Sequence, residues 1–280
     1  MSTATIAPVN PMSADGKETV MTVMRRDREK FTRMVSDPKN WNVMTRCTGW
    51  ETRDLVGHMI DVMEGYFKNW DAARAGKEGS ALGLTVMGET LNDHALDFRK
   101  LPREEALDRF KKDAMKLDKM LDELTPQEWE GFMVYHPFAG PVPAGFYGTF
   151  QIMDYGVHPY DIEYGLGDKL ATIDEASAGL IFPYAFVFWQ YTVDENVAKG
   201  QDFTYGIQVD GPWGGKWRAT VKDGKWSYES EKGDFKGVDA LLHFNNVSDA
   251  VLTFFQRFPG GSATGDEDVI NTIRKLHFRF

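Results

Sequence analysis

The chain has 280 residues, of which 42% are hydrophobic and 13% aromatic, and its formal net charge is −10. The length allows one large domain or two ordinary ones, and the composition suffices for a sizeable core. The acidic balance argues against nucleic acid or an anionic membrane as the main partner, because both require clustered Lys and Arg. The single cysteine, Cys47, excludes an internal disulfide framework.

The first sixteen residues, MSTATIAPVNPMSADG, lack the basic start and the apolar core of a signal peptide. We expect them to form a disordered leader. The longest apolar run, Ala178–Trp189, is too short for a membrane span and contains Pro183. The expectation is a soluble cytoplasmic protein.

Residues 17–168 have the pattern of a helical bundle. Helical spacing of apolar residues occurs in KETVMTVMRRDREKFTRMVSD, ETRDLVGHMIDVMEGYFKNWDAAR, LGLTVMGETLNDHALDFRKL and REEALDRFKKDAMKLDKMLDEL. The segment HPFAGPVPAG is predicted to be a loop that leads into a last helix containing MDYGVHPYDIEYGLG (Met153–Gly167). Four or five helices in this length fit an antiparallel bundle.

Residues 169–280 have the pattern of a small α+β domain. Asp174 can cap a helix through EASAGLIFPYAFVFWQY. Alternation then predicts strands in FTYGIQV, KWRATVK, KWSYESE and DALLHF, and the Asp-Gly between the second and third indicates a hairpin. NVSDAVLTFFQRF is predicted to be a helix capped by Asn246 or Ser248, GGSATG a loop, and DEDVINTIRKL a last helix.

The last bundle helix carries three polar residues on one stripe. Asp154 and His158 are four residues apart, and Asp161 is three further on, so their side chains share one face. This face adjoins a predicted apolar stripe of Phe146, Phe150, Met153, Val157, Tyr160 and Tyr164. Polar groups at the margin of a bundle core can form a metal or substrate pocket. An acid/base pair and a solvated surface fit the same spacing.

His58 lies at the edge of the apolar stripe of the second long helix. Alone it indicates a surface or hydrogen-bonded histidine. Together with Asp154 and His158 it offers two imidazoles and a carboxylate, which is the ligand pattern of a catalytic zinc or a similar divalent ion. The chain lacks a phosphate-binding glycine loop, a dinucleotide fingerprint, a paired-cysteine zinc motif and a nucleophile elbow.

Two further residues have chemical potential. Cys47 could be a nucleophile, but only Arg46 accompanies it, so a packing role is favoured. His136 stands in the predicted loop before the last bundle helix, where it either lines a pocket or is exposed.

The segments around the candidate ligands resemble a known family. CTGWETRDLVGHM (Cys47–Met59) is similar to the gW…rDl..H signature of the DinB-like bundle in mycothiol-dependent maleylpyruvate isomerases, and MDYGVHPYDIEYGLG resembles their E…H..Di..alG helix. VDGPWGGKWRATVKDGKW, DALLHF, SDAVLTFFQRF and GDEDV resemble the sterol-carrier-like domain often fused to that bundle. The resemblance covers nearly the whole chain. It implies a DinB-like four-helix bundle followed by a small sterol-carrier-like α+β domain.

The resemblance implies that His58, Asp154 and His158 hold a divalent metal, usually zinc. The family's acid is typically glutamate, and the shorter aspartate requires the metal to lie nearer the helix backbone or to bind more weakly. Pro159 is a second departure, because it removes a helical N–H and can kink the helix beside His158. Arg257, in FFQRF, stands where the family usually has an arginine, whose planar fork suits a carboxylate.

The resemblance further implies a low-molecular-weight thiol, with mycothiol expected, as cosubstrate. The metal lowers the pKa of the thiol, and the thiolate adds to an alkene or displaces a leaving group. Asp161 would then orient a ligand or face the second domain. The first hypothesis is therefore a thiol-dependent S-transferase or cis–trans isomerase acting on a small electrophile. Two alternatives remain: a non-catalytic carrier of a hydrophobic molecule and a metal-dependent hydrolase.

Overall fold

The computed structural model describes residues 6–79, 81, 84–137 and 139–277. These residues form two compact units: one comprises Val9–Ala171, and the other comprises residues 6–8 together with residues 172–277. No helix in the described part of the chain is both long and apolar enough to cross a membrane.

The N-terminal unit is a helical bundle. Its helices are α1 (Lys17–Ser36), α2 (Thr52–Arg74), α3 (Leu84–Asp97), α4 (Arg103–Asp122), α5 (Pro126–Gly131) and α6 (Gly145–Gly165). Helix α1 packs against α4 and α6, and α2 packs against α3, α4 and α6. The four long helices α1, α2, α4 and α6 therefore form the bundle, and α3 lies beside α2.

Helix α2 begins at a capping box that engages Asp54, four residues before His58. The backbone N–H of Glu51 donates to Asp54 Oδ2 at 2.7 Å, and the Glu51 side chain accepts from the backbone in return. The buried Asp54 also receives both Nε and Nη2 of Arg99, at 2.7 and 2.5 Å. Its charge is therefore used to begin the helix, in the way that a carboxylate stabilises a helix N-terminus.

The segment HPFAGPVPAG differs from the predicted loop. Strand β1 (Met133–His136) pairs antiparallel with β2 (Gly140–Pro143). The two prolines of β2 obscure the strand pattern in the sequence, because proline is tolerated only at strand edges. Val134 faces Val142 across the pair and is fully buried, so contact with the bundle selects the hairpin.

Part of the predicted disordered leader is also ordered. Ala14–Gly16 forms a turn of 3₁₀ helix, and the Ala14 N–H donates to Glu130 Oε1 at 2.6 Å. The indole N–H of Trp129 donates to the carbonyl of Pro11 at 3.0 Å. These partners lie more than a hundred residues away, so local composition could not reveal them. Residues 1–5 of the predicted leader lie outside the described residues.

The C-terminal unit is the predicted α+β domain. Its elements are α7 (Glu175–Tyr191), α8 (Glu195–Ala198), β3 (Asp202–Val209), β4 (Gly215–Lys222), β5 (Lys225–Ser230), β6 (Ala240–Phe244), α9 (Val247–Phe254), β7 (Ser262–Gly265) and α10 (Glu267–Ile273). The sheet order is β5-β4-β3-β6-β7, with β3 parallel to β6 and the other neighbours antiparallel. The predicted order of a helical bundle followed by an α+β domain is confirmed.

Two details of this unit test the predicted boundaries of its elements. Asn246 caps α9 by accepting from the Asp249 N–H at 2.8 Å, whereas Ser248 accepts from the backbone of Ile173. The segment GGSATG is not a loop, because Ser262–Gly265 pairs with β6 at the sheet edge. Backbone pairing alone holds this strand of small residues, so its sequence carries no strand signal.

The long apolar run packs α7 onto the sheet. Phe182 contacts Trp217 edge to face at 5.1 Å between ring centroids, and Phe186 stacks on Tyr228 at 4.5 Å. The buried aromatic side chains of α7 thus form part of the core of this unit, whereas Tyr191 at its end is exposed.

Candidate metal centre

Helix α6 is buried on nearly all sides between Gly145 and Ile162. This changes the predicted apolar stripe: Met153 is half-buried, whereas Tyr155, outside the stripe, is fully buried against Phe31 and Phe110. A helix surrounded by neighbours has no single apolar face, so periodicity misplaces its inner side. The polar residues of α6 consequently lie inside the bundle.

Three predicted ligands meet there. His58 comes from α2, and Asp154 and His158 come from α6. Asp154 Oδ1 lies 3.6 Å from His58 Nε2 and 3.9 Å from His158 Nε2. The ligand atoms all lie within 4.8 Å of one another, and the three residues are only 6–7% exposed. The two imidazole rings are nearly perpendicular, with centroids 5.3 Å apart.

These distances fit atoms that share a cation better than atoms that bond to each other. Hydrogen bonds from nitrogen to oxygen are shorter than about 3.2 Å. Two ligands at roughly 2.1 Å from a tetrahedral zinc are about 3.4 Å apart. Neither Asp154 Oδ2 nor His58 Nδ1 has a hydrogen-bond partner in the described chain. A buried carboxylate in this condition is costly without a compensating cation, so the residues fit a divalent metal.

Asp161 contacts the ring of His158. Its Oδ2 lies 2.9 Å from His158 Nδ1, and the carboxylate is fully buried. When Nδ1 donates to this carboxylate, the Nε2 lone pair is left to face Asp154 and His58. The contact supports the first of the two roles expected for Asp161, which stays a prediction.

Cys47 reaches the same carboxylate from the loop before α2. Its Sγ donates to Asp161 Oδ2 at 3.2 Å, and the neighbouring Arg46 N–H donates to the carbonyl of Asp161 at 3.0 Å. Cys47, His158 and Asp161 thus form a second group whose ligand atoms lie within 4.8 Å. The packing role predicted for Cys47 misses this contact, because no local pattern links residues that are 114 positions apart.

Pro159 does not end the helix. Helix α6 continues through this residue to Gly165, and Pro159 is itself buried. It lies directly after His158. The carbonyl of Tyr155 therefore loses its usual helical donor, beside the cluster of His58, Asp154 and His158.

His136 is buried rather than exposed. It belongs to β1, and its ring lies 4.4 Å from that of Phe150 and 5.3 Å from that of Phe146. Burial lowers the pKa of His136 to about 3, so the imidazole is neutral at physiological pH.

Arg257 lies in the C-terminal unit, just after α9. Its backbone N–H donates to the Leu252 carbonyl at 2.7 Å, and Nη1 donates to the carbonyl of Phe255 at 3.1 Å. These contacts lie within the C-terminal unit, and the role of Arg257 in binding a substrate carboxylate stays a prediction.

The N-terminal unit is thus a helical bundle with a buried cluster of two histidines and a carboxylate that could hold a metal ion. Residues 24–163, half of the chain, match the family profile of the mycothiol maleylpyruvate isomerase N-terminal domain. The chain belongs to this family.

Solved structures share the fold. The mycothiol-dependent maleylpyruvate isomerase superposes with a TM-score of 0.61 at 16% identity, covering 89% of this chain and 92% of that one. A histidine-to-alanine mutant of the same enzyme gives 0.60 at 16% identity with the same coverage. At this identity the likeness shows the fold alone.

A more distant structure is the colibactin self-resistance protein ClbS in complex with double-stranded DNA. Its TM-score is 0.47 at 14% identity, over 54% of this chain and 96% of that one, which is too weak to support an argument. The absence of a nucleic-acid partner stays a prediction from net charge. Comparison with curated protein sequences gives no match.

Proposed function

We propose that this protein is a metal-dependent enzyme that activates a low-molecular-weight thiol, mycothiol, toward a small electrophile. The reaction is a cis–trans isomerisation or an S-transfer. The buried cluster of His58, Asp154 and His158 carries this proposal, since its donor atoms suit a divalent cation. Membership of the mycothiol maleylpyruvate isomerase N-terminal domain family supports the thiol.

Each residue of the cluster has a defined task. His58 and His158 present imidazole nitrogens and Asp154 a carboxylate, which is a suitable set for zinc. Such a cation would lower the pKa of a bound thiol and so supply a thiolate at neutral pH. Asp161 holds the ring of His158 and its tautomer through the 2.9 Å contact. The surrounding buried side chains exclude bulk water from the cluster.

Metal content and thiol dependence test the proposal together. The protein is purified without chelator, its metals are measured, and electrophiles are screened with and without mycothiol, with maleylpyruvate first. We expect stoichiometric divalent metal and activity only with the thiol. The His58→Ala variant is expected to lose both the bound metal and the activity. His94→Ala is the matched control, because His94 is a half-exposed histidine paired with Asp61.

Other results would assign a different function. Activity that persists without thiol would favour the hydrolase, in which the metal acts on water. Metal-free protein that retains a hydrophobic molecule in native mass spectrometry would favour the carrier.

A further inference from the structure

Two buried polar atoms of the α2–α6 interface have no role in the proposed chemistry of His58, Asp154 and His158. They are the hydroxyl of Tyr66 on α2 and Oε1 of Gln151 on α6, and neither has a hydrogen-bond partner in the described chain. Tyr66 is 1% exposed and Gln151 fully buried. The other end of the Gln151 amide, Nε2, lies 3.5 Å from Met59 Sδ, which is a weak acceptor.

Both side chains belong to the α2–α6 interface that also holds Asp154, because Tyr66 contacts Tyr147 of α6 and Gln151 contacts Met59 of α2. On α6, Tyr147, Gln151, Asp154 and His158 follow one another at spacings of four, three and four residues, so they share one face. The ring of Tyr66 packs edge to face on Tyr147, with centroids 4.7 Å apart. Side chains of a helix lean toward its N-terminus, and on α2 this is the direction from Tyr66 toward His58, about two helical turns earlier.

Electrostatics agree with this placement. Burial raises the pKa of Tyr66 well above its usual value, and the charge of Asp154 raises it further. The phenol is therefore a neutral donor at physiological pH, within electrostatic reach of the carboxylate.

Packing explains the ring of Tyr66 but not its hydroxyl. The ring fills the space beside Tyr147 and His136, and a phenylalanine would fill it equally. A buried hydroxyl without a partner lowers the free energy of unfolding, because its bonds to water are lost. Unsatisfied polar groups of this kind concentrate where a ligand completes them.

We propose that Tyr66 and Gln151 form the substrate-binding end of the metal pocket, where the Tyr66 hydroxyl donates to a carbonyl or carboxylate oxygen of the electrophile. This inference rests on the proposed function and adds the substrate class to it. The Gln151 amide makes the second polar contact by donating from Nε2–H to the same group, in place of its long contact with Met59 Sδ. The occupant is thus a small electrophile that carries an acceptor oxygen.

The test uses the zinc-loaded full chain without thiol and fumarate, a small unsaturated dicarboxylate, as the probe. Calorimetric titration of Tyr66→Phe is expected to give a Kd for fumarate at least about tenfold weaker than that of the wild type. The zinc content stays unchanged, and the Tm is equal or higher, because an unpaired hydroxyl has been removed. Gln151→Leu is expected to weaken fumarate binding in the same direction.

Tyr147→Phe is the matched control. The hydroxyl of Tyr147 donates to the carbonyl of Tyr135 at 2.6 Å, so its removal lowers the Tm and leaves the Kd for fumarate within about twofold. The proposal is overturned if wild type fails to bind fumarate, if Tyr66→Phe leaves the Kd unchanged, or if Tyr66→Phe lowers the Tm as Tyr147→Phe does. A wild type that takes up no zinc overturns the proposed function alone, and the Kd and Tm comparisons are then made on the metal-free protein.

Discussion

The interface between α2 and α6 and the aromatic core of the C-terminal unit differ in how many of their buried polar groups are paired. In that core, His277 Nε2 is the unpaired buried side-chain atom among the described residues. In the C-terminal unit, the Trp189 indole N–H donates to the Phe254 carbonyl at 3.0 Å, and that of Trp226 donates to the Tyr205 hydroxyl at 2.8 Å. Between α2 and α6, buried atoms of His58, Tyr66, Gln151 and Asp154 have no partner in the described chain.

The difference separates a packed core from a site. A core gains stability when each buried polar group is paired and aromatic rings fill the volume. A binding site keeps polar groups unpaired, at a cost in stability, until a ligand completes them. On this view the α7–sheet interface supplies stability, whereas the α2–α6 interface supplies chemistry.

The largest expected effect is loss of stability in the aromatic core. Phe254 is 3% exposed and stacks on Trp189 at 3.8 Å between ring centroids. Phe254→Ala is expected to lower the free energy of unfolding by about 3–5 kcal/mol, measured by denaturant titration. Phe258→Ala, at a residue that is 38% exposed, is the control and changes it by about 0.5 kcal/mol or less. Equal effects from the two variants would contradict the assignment of this core.

Substitution in the cluster of His58, Asp154 and His158 should reduce activity and leave stability intact. His58→Ala removes one of three ligands and is expected to lower kcat/KM by at least about 100-fold, with loss of bound metal. The Tm of the metal-free protein stays the same or rises, since an unsatisfied buried group is removed. A large fall in that Tm would show that His58 is chiefly structural.

Acid should destabilise the C-terminal core through His277, which stacks on Trp189 at 4.3 Å. Burial lowers the pKa of His277 from 6.5 to about 3. The unfolded chain therefore binds more protons between these values, so the stability that neutral His277 contributes is complete above pH 6.5 and falls below it. The loss at pH 5 is about 2 kcal/mol.

His277→Phe keeps the stacking and removes the titration. Its free energy of unfolding should decline less between pH 7 and pH 5 than that of the wild type, as measured by urea titration at each pH. His136→Phe should act likewise in the N-terminal unit, because burial also lowers the pKa of His136 to about 3. If the free energy of unfolding declined equally with falling pH in the wild type and both variants, His277 and His136 would not be neutral in the folded protein.

The smallest expected effect concerns the residue that orients His158. Asp161→Asn keeps the shape of the side chain but removes the charge that holds Nδ1, and should weaken metal affinity by about tenfold. A chelator competition assay measures it, with Asp168→Asn, at an exposed acid, as the control. An affinity equal to wild type would mean that the backbone of α6 alone orients His158.

Local patterns predicted much of the fold. Apolar spacing located the long helices of the bundle, and alternation with an Asp-Gly turn located β3 to β5. The hairpin of β1 and β2 and the edge strand β7 were missed, since prolines and small residues hide strands that tertiary pairing creates.

The sequence by itself determined which residue types could hold a metal and where along the helices they stand. The spacing of Asp154 and His158 follows from helical geometry, and the family signature singled out His58 as their partner. Only the tertiary structure decided what surrounds them, because packing of α2 against α6 brings together residues far apart in the chain. It brought Cys47 to Asp161 and left the Tyr66 hydroxyl and Gln151 Oε1 buried without a hydrogen-bond partner in the described part of the chain, which no local periodicity encodes.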